Sequence, residues 1–455
     1  THTVSEIKEE KALMRNYERD EKMEHINTLK NYMTLVRKPV SKKNCDRMLE
    51  TQNRKIHELM KIAYEIPFYR ERFEASGTTP DDFHNAQDLY KFPLLTKDEV
   101  REWMDGEAAA HPEKYEKWHV SPTSGSSGRP LRTLISPNDN AWATANWLRV
   151  MGLAGYNPFL GKTMCRPNSL HGPVKESDSP IQKFGILRRK YMSDTIKARV
   201  ETQTLIDEIN AYKPDYLYNH KNLLVRIALY VKKNNVYLHK PKFYTPFGEM
   251  MDDSSRVLLE EVYGPGLIDA YGMAEVGSCV VNIPGKKYYQ VNSDTHVVNI
   301  YDKDLKEPAM SGPAVITPLW KTELPLINYI SGDSMDSYFR KGLRFVKRVH
   351  GRNNDVIRHK NGSVTEWGNI AGIMNYIPEV VQYRVVQEDY DNLTYLMIPN
   401  PETDKADLPK VEESIREKMD AMFKDNFTYH FEWVDEIPAD PNGKLRIILC
   451  KVDAE

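Results

Sequence analysis

Hydrophobic positions along the chain change rhythm three times, and each change predicts a different kind of unit. Residues 1–65 are dense in Glu, Lys and Arg, with Leu29, Met33 and Leu35 giving only a thin apolar stripe. Glu and Lys recur three and four apart there, as on a solvent-laced helix, so the spacing predicts a helical N-terminal arm that serves as a packing or dimerisation element. From Val120 to about Ser337, short runs rich in Val, Ile, Tyr and Thr alternate with longer amphipathic stretches. The runs at 216–219, 242–246, 267–270 and 314–319 predict strands, and 222–233 and 253–262 predict helices. Such alternation implies α/β layering, a sheet buried by helices. After Arg352 the pattern predicts a smaller α+β unit, with strands at 380–388, 393–398 and 429–434 and a helix at 408–423. A boundary is expected near 350–356.

Bulk composition narrows the class. A chain of 455 residues exceeds what one compact core serves, so two or three packed units are expected. Hydrophobic residues at 40% and charged residues at 28% are ordinary for a globular protein. No apolar run approaches the roughly 20 residues of a bilayer-spanning helix. Thr1–Asp20 lacks an apolar h-region, so no signal peptide is expected and a cytoplasmic protein is. A net charge of −2 argues against a nucleic-acid partner. The basic runs Arg188-Arg189-Lys190 and Lys232-Lys233 read as solvated helix ends. Cys45, Cys165, Cys279 and Cys450 are scattered without a CxxC pair, so neither a disulfide framework nor a structural zinc is expected.

Four short segments could carry chemistry. Thr123-Ser124-Gly125-Ser126-Ser127-Gly128-Arg129-Pro130 offers hydroxyls, N–H groups and close backbone approach to phosphate oxygens, although such a loop is also simply a flexible turn. It is no Walker A loop, because no Gly precedes Gly161-Lys162-Thr163 at the required spacing. In Asp269-Ala270-Tyr271-Gly272-Met273-Ala274-Glu275, an aromatic ring able to stack a purine is followed by a carboxylate able to hold Mg²⁺; the alternative is a strand-to-helix turn with an incidental Glu. Tyr329-Ile330-Ser331-Gly332-Asp333 brings an Asp able to accept ribose hydroxyls, and Gly351-Arg352-Asn353-Asn354-Asp355 an Arg suited to phosphate. Each is equally an ordinary turn between strands. In Pro438-Ala439-Asp440-Pro441-Asn442-Gly443-Lys444-Leu445-Arg446, an Asn-Gly turn would hold Lys444 at a loop tip, where an ammonium could stabilise developing negative charge.

Taken together and in this order, the segments resemble the adenylate-forming superfamily of acyl- and aryl-coenzyme A ligases, luciferase and peptide-synthetase adenylation domains. The similarity is greatest to its phenylacetate–coenzyme A ligase branch, through Ile62–Arg70, Phe92-Pro93-Leu94-Leu95-Thr96-Lys97, the Phe247-Gly248-Glu249 step and the strand near 312–319. The resemblance implies a helical arm over 1–55, a large multi-sheet α/β domain over 56–352, and a small mobile α+β domain over 353–455 that carries the adenylation lysine. It implies an ATP-dependent enzyme that joins a small-molecule carboxylic acid, aromatic by expectation, to AMP and then to coenzyme A. No nucleic acid or membrane partner is implied.

By the same resemblance, Thr123, Ser124, Gly125, Ser126, Ser127 and Gly128 would close over the ATP phosphates. Gly248, Glu249, Asp269, Tyr271 and Gly272 would line the adenine pocket. Glu275 would hold Mg²⁺, Asp333 the ribose hydroxyls, and Arg352 the ribose or phosphate. Lys444 would touch the substrate carboxylate and the α-phosphate, and Asn354 would be the hinge. Trp142, Asn146 and Trp147 would line the acyl pocket. Three departures stand out: Asn328 replaces an Arg, Ser331 a Thr, and Asn354 a charged hinge residue. They leave a second acceptor open, a carrier-protein phosphopantetheine arm or an amine. Further alternatives are adenylylation of a deazaflavin and a non-catalytic nucleotide-binding scaffold.

Overall fold

The computed structural model describes residues 26–35, 44–116, 118–122, 131–166, 184–193, 200–352, 356–374, 377, 379–401, 403–423, 427–438 and 445–452. Three larger sheets organise it. The first has seven strands in spatial order His296–Ile300, Ser311–Pro318, Tyr329–Arg340, Leu343–Arg352, Tyr289–Val291, Gly277–Asn282 and Asp269–Met273. The second is parallel, ordered Arg189–Tyr191, Thr163–Cys165, Tyr216–His220 and Phe243–Phe247. The third, ordered Thr428–Trp433, Asn392–Pro399, Val380–Gln387 and Ile448–Cys450, belongs to the small C-terminal unit with helix Leu408–Met422. This is the expected mixed α/β, multi-sheet architecture. Among the described residues no helix is long and apolar enough to cross a membrane.

The predicted elements lie close to the observed ones. Helices Lys221–Asn234 and Asp253–Tyr263 and strands Tyr216–His220 and Phe243–Phe247 match within a residue or two. Arg189–Tyr191 is an edge strand of the parallel sheet rather than a helix end. The expected boundary at 55/56 falls inside the continuous helix Cys45–Tyr64, whose Met48, Ile56, Leu59 and Met60 are buried. The boundary at 352/353 coincides with the end of strand Leu343–Arg352.

Segment 92–97 is structural. Thr96 caps helix Lys97–Ala110 through a reciprocal box with Glu99, satisfying donors that a helix start leaves open. Leu95 bridges in parallel to Tyr329, with Leu95 N donating to Asn328 O at 2.9 Å. Asn328 itself has φ +53° and is 1% exposed. Its amide donates to Leu89 O at 2.6 Å and to Phe92 O at 2.9 Å. Asn tolerates the left-handed region better than most residues. The side chain therefore points into the 89–92 segment, so the Asn that stands in place of an Arg brackets the core.

His296 is fully buried, and burial holds its imidazole down to about 4, with Arg149 and Lys55 opposing protonation and Asp294 favouring it. The folded chain keeps it neutral, while the unfolded chain protonates near 6.5. Stability is therefore fully present above about 6.5 and falls as pH drops toward 4, by about 3 kcal/mol over that window.

Two outcomes follow for urea unfolding. Asn328→Ala should lose about 2 to 4 kcal/mol, because two buried carbonyls lose their donor; a loss within 0.5 kcal/mol, roughly the surface-substitution range, would contradict the bracket. Between pH 7.5 and 4.5, His296→Gln should lose less stability than the parent, and equal losses would show that His296 is not held neutral.

Candidate nucleotide site

The seven-stranded sheet is strongly curled. In a flat sheet, Asp269–Met273 and Tyr329–Arg340 would lie four strand spacings apart, about 19 Å. Yet the Tyr271 hydroxyl donates to Asp333 Oδ2 at 2.6 Å, and the Tyr329 hydroxyl donates to Glu275 Oε1 at 3.3 Å. Curling brings Tyr271, Glu275, Tyr329 and Asp333 together, four residues from two of the sequence segments. Asp333 is also the direct cross-strand partner of Arg352. Ser331 supports that corner: its hydroxyl donates to Ala314 O at 2.7 Å and lies 3.1 Å from Asp333 N, so the substituted Ser keeps a hydroxyl in use.

Residues 269–277 form a hairpin rather than a strand-to-helix turn. Strand Asp269–Met273 turns through 274–276 into Gly277–Asn282. A Cβ at Gly272 would lie 2.4 Å from Gly277 O, so only glycine lets the hairpin close here. Tyr271 is held protonated, its pKa driven well above 10 by burial and then by the adjacent Asp333 carboxylate. Asp269, two residues earlier and so on the same face of the strand, has other partners. It is buried, its pKa raised by desolvation against the opposing pull of Arg256, whose Nη2 lies 2.6 Å from Oδ2, and it also accepts from the Tyr289 hydroxyl. That carboxylate ties the hairpin to helix Asp253–Tyr263.

Glu275 is 5% exposed. Among the described residues no group of three or more His, Cys, Asp or Glu could hold a metal. A lone buried carboxylate fits an ion such as Mg²⁺, which binds through one or two carboxylates plus substrate phosphates rather than in an all-protein cage.

Gly248, at φ +86°, and the half-buried Glu249 follow strand Phe243–Phe247 directly. Beside them stands an aromatic wall. Phe247 stacks on Tyr218 at 4.2 Å, Tyr218 meets Trp147 at 5.5 Å, and His220 packs on Phe247 at 4.5 Å. Of the three acyl-pocket expectations only Trp147 joins this wall. Trp142 lies under the Lys55 ammonium at 5.1 Å. Asn146 is buried, donating to Ser278 O at 2.7 Å and accepting from Arg149 Nη2 at 2.5 Å, so both ends of its amide are committed within the protein. Tyr218, His220 and Phe247 were missed by sequence reasoning. The alternation Tyr216, Tyr218, His220 along one strand is the signal that could have found two of them.

Thr123–Gly128, Asn354 and Lys444 lie outside the described residues, as does the side chain of Arg352. Their flanks are informative. Strands His119–Pro122 and Arg132–Ile135, on either side of the Thr123–Pro130 segment, pair antiparallel. Ile437 and Leu445, on either side of the Lys444 segment, belong to the apolar cluster that contains Leu224, Ile227 and Leu259 of the large domain. Arg226 pairs with Glu436 at 3.1 Å and Lys233 with Asp435 at 2.9 Å, joining helix Lys221–Asn234 to that approach.

Comparison with known proteins agrees. The CapK C-terminal domain family model matches residues 357–451. Protein CapK of Staphylococcus aureus is 24% identical over 433 residues, covering 90% of this chain and 91% of the relative. Phenylacetate-coenzyme A ligase of Aromatoleum evansii is 23% identical, covering 84% and 88%. 2-Hydroxyisobutyryl-CoA ligase, solved in its postadenylation state with an acyl-AMP, superposes with a TM-score of 0.69 at 20% identity, covering 88% of this chain and 89% of that one. The fold is that of the adenylate-forming acyl-CoA ligases. The sequence relatives include phenylacetate-CoA ligases and CapK. The same 2-hydroxyisobutyryl-CoA ligase in its thioesterification state superposes at only 0.53.

Asp333→Asn should raise the KM for ATP about ten-fold or more while preserving the fold, since it keeps the shape but removes charge-assisted bonds to hydroxyls. An unchanged KM would remove Asp333 from the ribose site.

Proposed function

We propose that the protein is an AMP-forming acid–thiol ligase that activates a carboxylic acid as an acyl-adenylate and passes the acyl group to coenzyme A. The observation that carries this reading is the convergence of Tyr271, Asp333, Glu275 and Tyr329 across the curled sheet, with Arg352 in register opposite Asp333. Relatives named phenylacetate-CoA ligase support it.

In the first half-reaction a substrate carboxylate oxygen attacks the α-phosphorus of ATP, and pyrophosphate leaves. Two anions must meet, so cations have to screen their repulsion. Lys444 and Arg352 supply that charge from the chain, while Asp333 fixes the ribose and Tyr271 lies against the adenine. Glu275 would hold Mg²⁺, which when bound would neutralise charge on the phosphates. In the second half-reaction the thiol sulfur attacks the acyl carbonyl and AMP leaves. The small domain must move about Asn354 for this, because Lys444 and the incoming thiol use the same approach.

The substrate is an aromatic acid. The wall formed by Trp147, Tyr218 and Phe247 beside Gly248-Glu249 supports this, since flat rings stack favourably at such spacings. The acceptor is free coenzyme A, with a carrier-protein phosphopantetheine arm as the competing reading.

A panel of aryl and alkyl carboxylic acids in a pyrophosphate-release assay, with and without coenzyme A, tests all of this. Acid-dependent release that yields an aryl thioester is expected, and absence of any acid-dependent release would overturn the reading. Robust release without thioester would favour the carrier protein. Lys444→Ala should slow adenylation at least about a hundred-fold while sparing thioester formation from a supplied acyl-adenylate. Equal loss of both halves would contradict the domain movement.

A further inference from the structure

The Glu275 side chain meets the Tyr329 hydroxyl, and the carbonyls of its turn are gripped from remote parts of the chain. His296 Nε2 lies 2.7 Å from Val276 O, the residue immediately after Glu275. A contact that short to a carbonyl requires the proton on Nε2, so the imidazole donates. Its Nδ1 is 3.0 Å from the Thr295 hydroxyl, and the Trp320 indole packs edge-on against the ring with its Nε1 3.3 Å from Nε2, longer than the 2.7 Å contact to Val276 O. Two residues further on, Ser278 O accepts from Asn146 Nδ2 at 2.7 Å and from Asn292 Nδ2 at 3.1 Å.

These donors are themselves fixed. Arg149 reaches both carboxylate oxygens of Asp294, at 2.7 and 2.6 Å, and also holds the Asn146 carbonyl. Both members of this ion pair are at least 95% buried on exposures of 2% and 4%. From the N-terminal helix Cys45–Tyr64, Gln52 donates to His296 O at 3.1 Å and Lys55 to Asp294 O at 2.6 Å. His296 begins one edge strand of the seven-stranded sheet, and Glu275 follows the other edge strand. The side chains thus close a curl that backbone ladders leave open.

We propose that His296 and Asn146 are positioning residues. They clamp the 274–278 backbone through Val276 O and Ser278 O, and so fix the Glu275 carboxylate without touching substrate. The consequence for Mg²⁺ rests on the reading of Glu275 given above; the clamp itself does not. Outer groups that orient a ligating carboxylate typically change metal affinity or activity by about ten- to a hundred-fold when removed.

The test compares His296→Leu, His296→Gln, Asn146→Asp and Glu275→Gln in the full chain. It reads amide hydrogen exchange of peptide 273–279 in the free protein and the Mg²⁺ midpoint of pyrophosphate release. His296→Leu should speed exchange in that peptide at least about ten-fold and raise the midpoint about ten-fold, leaving the KM for the acid unchanged. His296→Gln, whose amide N–H can replace the Nε2 donor, should restore both. Asn146→Asp keeps the acceptor for Arg149 but loses the donor to Ser278 O. It should move exchange the same way, and it carries the test if the Leu variant does not fold. Unchanged exchange in 273–279 in the folded Leu or Asp variant overturns the clamp, as does a Gln variant no better than Leu. If Glu275→Gln leaves the Mg²⁺ midpoint unmoved, the metal role of Glu275 fails instead, and exchange alone decides the clamp.

Discussion

The curl of one sheet determines where the chemistry can happen. Tyr271 and Asp333 belong to strands separated by three others, and only a sheet bent back on itself lets a phenol reach that carboxylate at 2.6 Å. The bend is permitted locally by the short strand Tyr289–Val291, which shares only two paired positions with each neighbour, and by register shifts beside Tyr271, Ser334 and Asp336. Bulges increase local twist, and few ladder bonds resist it. Helices Cys45–Tyr64, Pro67–Ser76 and Lys97–Ala110 contribute Ile56, Tyr69, Phe73 and Val100 to the apolar core that also holds Val280, Val298 and Ile316 of this sheet.

A sheet bent this far needs polar stitching as well as apolar packing. Lys321 pairs with Asp139 at 3.0 Å, almost wholly out of water, and Arg149 with Asp294. Buried pairs of this kind contribute little net stability against an apolar replacement, but losing one partner costs several kcal/mol. Their value here is geometric. Each joins helix Pro137–Ala154 to a connection of the curled sheet, which fixes the angle between layers that meet at the site. That helix begins at Ser136, whose hydroxyl accepts from Asp139 N, and ends at Gly155 in the left-handed region, so its position is set at both ends.

The layering of the large domain and the α+β character of the small one were legible because strand and helix periods are local. The same holds for Tyr271, Glu275 and Asp333, each carried in a short recognisable segment. That Asn328 brackets residues 89–92 was not legible, because the contact spans more than two hundred positions in sequence. Asn146 and Trp142 were assigned to a pocket by resemblance, which does not reveal that Trp142 meets Lys55 and that the Asn146 amide meets Ser278 O and Arg149. His296 left no motif at all, since a donor to a carbonyl across the two edges of a sheet has no sequence period. Asp269 was grouped with the nucleotide by adjacency, whereas its carboxylate is engaged by Arg256 and Tyr289.

The proposed ribose and adenine seat is built by this curl from Tyr271 and Asp333. A crystal structure with a non-hydrolysable acyl-sulfamoyl adenosine tests it most directly. The account predicts the two ribose hydroxyls within hydrogen-bond distance of the Asp333 carboxylate and the adenine ring against Tyr271. An adenosine bound elsewhere, with the Tyr271–Asp333 bond intact and no ligand beside it, would contradict it.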